Sequence, residues 1–379
     1  VGGALETARE RASESTPEGA LATAGLTDLE MDRSSALLSA SWEIDLFGGV
    51  RRAVEASDAR VGGALEGRRG VQLALIAEVA RSYVQLRGDQ RRLALAEKNT
   101  ALQGQTRRRV SDLARVGLGS NLDVSRASAQ LAATRALAPP LRASIRAAGH
   151  RLGVLTGRSP SALLDRLLAS SPAVDPPDLV PSGLPSDLLR RRPDVRAAER
   201  RLAAATAEIG VRTADLYPRF FLTGGGGLGS TRFADLFESG SRTFSIGPRV
   251  TWPIFQGGRI RAGIAAAEAD RDIRWAEYRQ AVLLAVEDVE NALVAYAEEE
   301  LRRRALAEAA AESARAVTLA TVVYDKGLES FLTVLDAERS LVEVEDRLAA
   351  SETAVVLRLV GVYAALGGGW EAAESVGNS

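Results

Sequence analysis

The residue run most suggestive of chemistry is Gly224-Gly225-Gly226-Gly227-Leu228-Gly229, which fits the G-x-G-x-x-G spacing of a dinucleotide-binding turn. Such a site needs a helix opening on the glycines and an acidic residue about twenty positions on, to hold a ribose. Arg249 stands at that distance from Gly229, is basic, and lies in a stretch patterned as a strand. No Lys precedes Ser230, so the run is not a phosphate-binding loop either. His150 is the only His and there is no Cys. A Ser-His-Asp constellation, or a metal held by His or Cys, therefore has almost nothing to draw on. No carboxylate pair is placed for acid–base work, and His150 reads as a surface helix residue. The expectation is a protein that is not an enzyme, with no cofactor and no metal.

Composition narrows the classes further. The chain has 379 residues, 46% hydrophobic and 26% charged, ample for packed structure and far from the make-up of a disordered chain. Basic and acidic residues number 48 and 49, for a net charge of -1, so no nucleic-acid partner is expected. No stretch approaches eighteen uninterrupted apolar residues, so no transmembrane helix is expected. Any membrane span would have to be a β-barrel.

The elements come in two copies, 210 positions apart. Trp42 and Trp252 are related this way, as are Gly117 and Gly327, Leu118 and Leu328, Ser120 and Ser330, Leu122 and Leu332, and Val124 and Val334. Each copy opens on an alternating strand. Across residues 36–47 the even positions are Ala36, Leu38, Ala40, Trp42, Ile44 and Leu46, opposed by Ser39, Ser41, Glu43 and Asp45. Across 244–255 they are Phe244, Ile246, Pro248, Val250, Trp252 and Ile254, opposed by Ser245, Arg249 and Thr251. Period-two alternation gives one apolar and one polar face, and an even offset keeps the two apolar faces in register. One such strand reads equally well as half-buried in a soluble sheet. Two matched strands of this length, ending in aromatic clusters, suit a tilted bilayer crossing. Residues 219–224 supply a partner strand, with 225–242 as a Gly- and Ser-rich connecting loop. The first copy's partner falls within 1–15.

Each strand leads into a helix free of Pro, over 51–116 and 261–326. At 1.5 Å per residue each is about 100 Å long, too long for one globular core. It must lie along other helices, and a filamentous coiled coil would show the same pattern. Each long helix stops at a glycine turn, and the chain returns over 122–155 and 332–366, about half as far. A helix over 193–217, opening on Pro193, fills the gap by stacking end to end with 332–366. Its first-copy counterpart would lie before Val1, so the chain is expected to be truncated there. The division is a first repeat over 1–168, a linker or equatorial segment over 169–188, a second repeat over 189–368 and a tail over 369–379. Four strands per chain cannot close a barrel, and an open sheet edge cannot sit in lipid. Three chains with four strands each would close one.

Several motifs resemble a known family. Leu189-Arg190-Arg191-Arg192-Pro193-Asp194-Val195-Arg196-Ala197-Ala198-Glu199 is similar to the linker signature of the TolC-like outer membrane efflux lipoproteins, the NodT-type branch serving resistance-nodulation-division pumps. Trp42-Glu43-Ile44-Asp45-Leu46-Phe47-Gly48 and Trp252-Pro253-Ile254-Phe255-Gln256-Gly257-Gly258-Arg259 resemble it too. So does Tyr324-Asp325-Lys326-Gly327 followed by Phe331-Leu332-Thr333-Val334-Leu335-Asp336-Ala337.

The resemblance implies an α+β membrane protein. Each protomer would give long helices to an α-helical barrel and four β-strands to a shared trimeric transmembrane β-barrel, with a two-fold internal structural repeat. It implies a homotrimer in the outer membrane of a Gram-negative bacterium, in contact with outer-membrane lipid and reaching into the periplasm. The implied partners are a periplasmic adaptor (membrane fusion) protein and an inner-membrane efflux pump. The implied role is passive exit duct for small molecules; exit duct of a type I protein secretion system, or a soluble coiled-coil scaffold, are the alternatives. The adaptor-contacting tips map to Val116, Gly117, Leu118, Gly119 and Ser120, and to Lys326, Gly327, Leu328, Glu329 and Ser330. The periplasmic gate maps to Leu332, Asp336 and Arg339, with Asp123 from the first repeat. The family's signal peptide, lipidated Cys and leading helix are not in this sequence.

Overall fold

Alternating side chains need a sheet whose two faces meet different surroundings, and the computed structural model contains one. It describes residues 2–11, 13, 15–25, 30–169 and 191–368. The chain forms two compact units, Val1–Val61 with Arg200–Ala276, and Gly62–Glu199 with Glu277–Ser379. Each sequence repeat contributes to both units.

The first unit holds strands β1 (Gly2–Arg11), β2 (Glu30–Ile44), β3 (Arg219–Ser230) and β4 (Arg242–Thr251). They form one antiparallel sheet in the order β1-β2-β3-β4, with β1 and β4 at its edges. Register places Trp42 opposite Leu222 and Leu38 opposite Gly226, and Gly226 and Gly224 in turn opposite Phe244 and Ile246. Cross-strand partners share a face. One face therefore carries Leu38, Trp42, Leu222, Phe244, Ile246 and Val250, and the other Ser39, Ser41, Thr223, Ser245 and Arg249. The expected alignment of the two even-numbered faces is what the register shows.

The run 225–230 is strand and not the expected loop. Glycine usually signals a turn, but here bulky neighbours on both sides decide the outcome: Leu37 lies opposite Gly227, and Phe244 opposite Gly226. A Cβ on Gly227 would collide with the Ala36 carbonyl oxygen and lie 2.9 Å from the Leu37 Cα, so only glycine lets β3 approach β2 this closely. With β3 on both sides paired and no helix opening on the glycines, the run has no dinucleotide-site geometry. The connection to β4 shrinks to residues 231–241 and includes two single 3-10 turns, Phe233–Asp235 and Ser239–Ser241. Two strand bounds also differ from expectation. β2 starts at Glu30, where Arg9 of β1 pairs with Glu30 at 3.2 Å, and β4 ends at Thr251, ahead of Pro253. Pro248 lies on β4, an edge strand within the single chain. A short helix, α1 (Pro17–Thr23), joins β1 to β2.

After β2 the chain enters α2 (Gly49–Arg115) through a side-chain cap. The Val50 and Arg51 amides donate to the two Asp45 carboxylate oxygens at 3.1 and 2.9 Å. Desolvation raises this carboxyl's proton affinity, but the donors from Arg51 and Val50 outweigh it and hold the group below its ordinary value. Asp45 in the Trp42–Gly48 motif is thus the stop that turns strand into helix.

The remaining helices are α3 (Asn121–Arg135), α4 (Ala138–Leu155), α5 (Leu164–Leu168), α6 (Pro193–Ala214), α7 (Arg259–Asp325) and α8 (Phe331–Ala365). α2 and α7 have 67 residues each, in line with the expected long helices. The first return is not one helix over 122–155: it breaks between Arg135 and Ala138. Pro139 and Pro140 lack the N–H groups that would reach back to residues 135 and 136. Their second-repeat counterparts are Ala349 and Ala350, and α8 runs unbroken. Replacing both prolines with Ala should fuse α3 and α4, seen as slower amide hydrogen exchange across residues 136–144. Unchanged exchange there would place the cause of the break elsewhere.

The core of the second unit is divided into small clusters along the helices. Leu86, Ile145 and Leu152 form one, with Leu163 and Leu167 packed on it. Val289, Val362 and Leu366 form another. α8 is the one helix among the described residues long and apolar enough to cross a membrane, yet its Val355, Val356, Leu359 and Val362 are buried within the fold. α6 opens where α8 ends, as expected: the Arg192 guanidinium donates to the Ala365 carbonyl oxygen at 2.8 Å. The linker over 169–188 lies outside the described residues except Ala169, and the tail over 369–379 lies outside them entirely.

Candidate functional site

The two glycine turns of the second unit have one geometry. Gly117 has φ +77° and Gly327 φ +71°, a region open to glycine and costly for other residues. The Leu118 amide donates to the Leu113 carbonyl (2.9 Å) and that of Gly117 to Ala114 (3.2 Å). The second turn repeats this with Leu328 to Val323 (3.1 Å) and Gly327 to Tyr324 (2.8 Å). This paired pattern satisfies the last carbonyls of α2 and α7 and reverses the chain in five residues. Ser120 then caps α3, its Oγ accepting from the Leu122 amide at 3.0 Å. Ser330 occupies the same position before α8 without a side-chain cap bond. Leu118 and Leu328 are 78% and 70% exposed, and Val116 is exposed as well. Each tip thus offers exposed apolar side chains on a backbone fixed by its own hydrogen bonds.

Below the turns, Val110 of α2, Ala127 of α3, Ala320 of α7, and Phe331 and Val334 of α8 are buried together. Tyr324 packs on this cluster with its ring centroid 5.6 Å from that of Phe331. Phe331 and Val334 on one side of α8 fix the opposite side outward. Leu332, Asp336 and Arg339 lie there, at a spacing that keeps them on one face. All three are exposed, and Arg339 pairs with Asp336 at 3.5 Å. Asp123 sits on α3 and pairs loosely with Arg126 at 3.8 Å; no direct contact ties it to the other three among the described residues.

Polar partners between helices were not visible in the sequence. Arg109 of α2 reaches Asp325 of α7 at 2.6 Å. Between α2 and α8, Arg92 holds Asp346 through two bonds of 2.8 and 2.9 Å, Asn99 donates to Glu345 at 3.0 Å, and Thr106 to Glu338 at 3.0 Å. These positions become legible as partners only once α2 and α8 are laid side by side. No group of three or more His, Cys, Asp or Glu residues suited to a metal ion occurs among the described residues.

Comparison with known proteins gives consistent matches. The family described as "Outer membrane efflux protein" matches residues 1–158 and 184–368. The "Solvent efflux pump outer membrane protein SrpC" of Pseudomonas putida is 34% identical over 339 residues, covering 89% of this chain and 72% of its own length. "Outer membrane protein OprJ" of Pseudomonas aeruginosa is 35% identical over 340 residues, covering 88% and 70%. Among solved structures, the outer-membrane channel OprN superposes with a TM-score of 0.87 at 38% identity, covering 97% of this chain and 82% of that one.

Proposed function

The chain belongs to the outer membrane efflux protein family, and on that premise we propose that Leu332, Asp336 and Arg339, with Asp123, form its periplasmic gate. The protein is the outer-membrane channel of a tripartite efflux pump, built as a trimer of α-helical and β-barrel parts. It spans the outer membrane and reaches the periplasm, where an adaptor and an inner-membrane pump are its partners.

The observation that carries the membrane assignment to particular residues is the sheet. Its Leu38, Trp42, Phe244 and Ile246 face is exposed in the single chain, and its two edges are unpaired. Neither condition survives in water or lipid unless copies join edge to edge and the apolar face meets hydrocarbon. This face is the surface for outer-membrane lipid. A soluble scaffold gives no account of it. The polar face, with its many Gly and Ser, lines the duct.

The exposed Leu118 and Leu328 tips are the adaptor-contacting knobs, together with the flanking residues of 116–120 and 326–330. At the gate, three copies of Asp336 gathered about one axis make an acidic constriction, partly neutralised by Arg339. Relatives named for solvent efflux make small apolar compounds the favoured cargo. The repeats over 1–168 and 189–368 supply equivalent hairpins, which makes six pairs in a trimer.

Single-channel recording in planar bilayers tests the gate. The purified protein is expected to conduct poorly. Asp336→Ala combined with Arg339→Ala removes the ion pair and its ring, and conductance should rise several-fold. A double variant conducting like the parent would remove these residues from the gate.

A further inference from the structure

The contacts between α2 and α8 change in kind along their length. Away from the turns they are ionic: Arg91 to Glu352 at 2.7 Å and the two-bond Arg92–Asp346 pair. Nearer the turns Glu338 has a neutral donor only, the Thr106 hydroxyl at 3.0 Å. Its second oxygen, Oε2, is buried without a partner. One turn along α2, Gln103 is 4% exposed, and both its Nε2 and Oε1 are buried without partners. Buried polar atoms of native folds are nearly all paired, whereas none of these three atoms has a protein hydrogen-bond partner among the described residues. They border a cavity of about 450 Å³ that is also lined by Arg109, Leu341 and Val342.

Among the described residues, none of the cations around this seam is paired with Glu338. Arg109 is engaged by Asp325 on α7. On α8 itself, Arg339 pairs with Asp336, and Glu345 accepts from Asn99. On α3, Arg126 faces Asp123, and on α7, Arg315 pairs with Glu312. Arg107 of α2 has its own buried Nε without a partner. The Glu338 carboxyl is consequently one that burial pushes toward its protonated form, with the Thr106 bond opposing only in part.

We propose that Glu338 and Gln103 are positioning residues of the gate: a proton-dependent latch between α2 and α8, shut while Glu338 carries a proton and released as it leaves. Neutral, the carboxyl sits in the seam against Thr106. Ionised, it is a buried charge with one neutral donor, and it gains by drawing α8 away so that water reaches it and Gln103. Because the packed state binds the proton more tightly than the free chain, the seam is fully stable below the ordinary glutamate value. It weakens as pH rises through the elevated one. Release frees the α8 face that carries Leu332, Asp336 and Arg339, so the latch rests on the channel reading above.

The test records single-channel open probability from about pH 4 to about pH 8, a range spanning ordinary and elevated carboxyl values. The parent should open more as pH rises, by about tenfold for each unit separating the packed and released affinities. Glu338→Gln keeps the shape without the charge and should stay near the low-pH level throughout. A variant whose pH response matches the parent's, or a parent with no response, overturns the latch. If nothing conducts at any pH, the channel reading fails instead, and hydrogen exchange decides the latch. After correction for intrinsic rates, amides 334–345 should lose protection with rising pH in the parent and keep it in Glu338→Gln; equal loss in both overturns it.

Discussion

Replacing Ile246 with Arg is expected to stop the protein assembling in the outer membrane. Ile246 lies midway along β4, 74% exposed, on the face it shares with Phe244 and Val250. A cation at mid-depth on the lipid face of a barrel costs about 2–4 kcal/mol. Three copies multiply this to roughly 6–12 kcal/mol. That is comparable to the whole stability of an ordinary fold. Its neighbour Ser245 points to the other face, and Ser245→Arg should assemble, because there the guanidinium meets water. The amount of trimer in the outer-membrane fraction separates the two. Equal yields would show that the apolar face is not the lipid face.

Replacing Arg192 with Ala should destabilise the second unit by about 2–3 kcal/mol, the scale of two or three charge-assisted hydrogen bonds with half-exposed partners. Its guanidinium meets three elements. It donates to the Ala365 carbonyl at the end of α8, to both Asp194 oxygens at 3.1 and 2.7 Å at the start of α6, and to Asp288 of α7 at 2.9 Å. Its side chain is 10% exposed while those of Asp194 and Asp288 are more than half exposed, so water recovers part of what the carboxylates lose. Gly367 (φ +72°) fits against it, where a Cβ would stand 3.1 Å from the Arg192 Cγ. Burial lowers the tendency of Arg192 to stay charged, yet the two aspartates outweigh it. Burial likewise raises the Asp194 carboxyl, but Arg192 holds it below its ordinary value. This contribution is present above the unfolded carboxyl value and is lost as pH falls through the folded one. Thermal unfolding in detergent should show a lower midpoint for Arg192→Ala at neutral pH, and a smaller gap in acid. Arg192→Lys should not restore it, since an ammonium cannot make the parallel pair to Asp194. A Lys variant as stable as the parent would reduce the junction to a single charge contact.

These residues show where legibility ended. Arg192-Pro193-Asp194 was recognisable as a motif, but its purpose lay in partners 96 and 173 positions away, at Asp288 and Ala365. Asp45 stood out in the motif after Trp42, and local geometry explains it as a helix cap. The glycines at 225–230 misled because turn and close-packed strand draw on the same property, the missing Cβ. Only the neighbouring strands choose between them. Pro139-Pro140 carried a plain break signal that the apolar pattern of the return segment obscured.

What the sequence determined by itself is whatever depends on short-range periodicity: the alternating strands, the two long Pro-free helices over 51–116 and 261–326, the glycine turns that end them, and the duplication at 210. Backbone sterics and side-chain period act over a few residues, so they are written locally. The tertiary structure alone decided which polar groups meet. Arg92 found Asp346, and Glu338 was left with Thr106, because α2 and α8 pack antiparallel at one particular stagger. That stagger is set by apolar packing such as Val110 against Phe331 and Val334, a sum of many weak contacts that no single position announces.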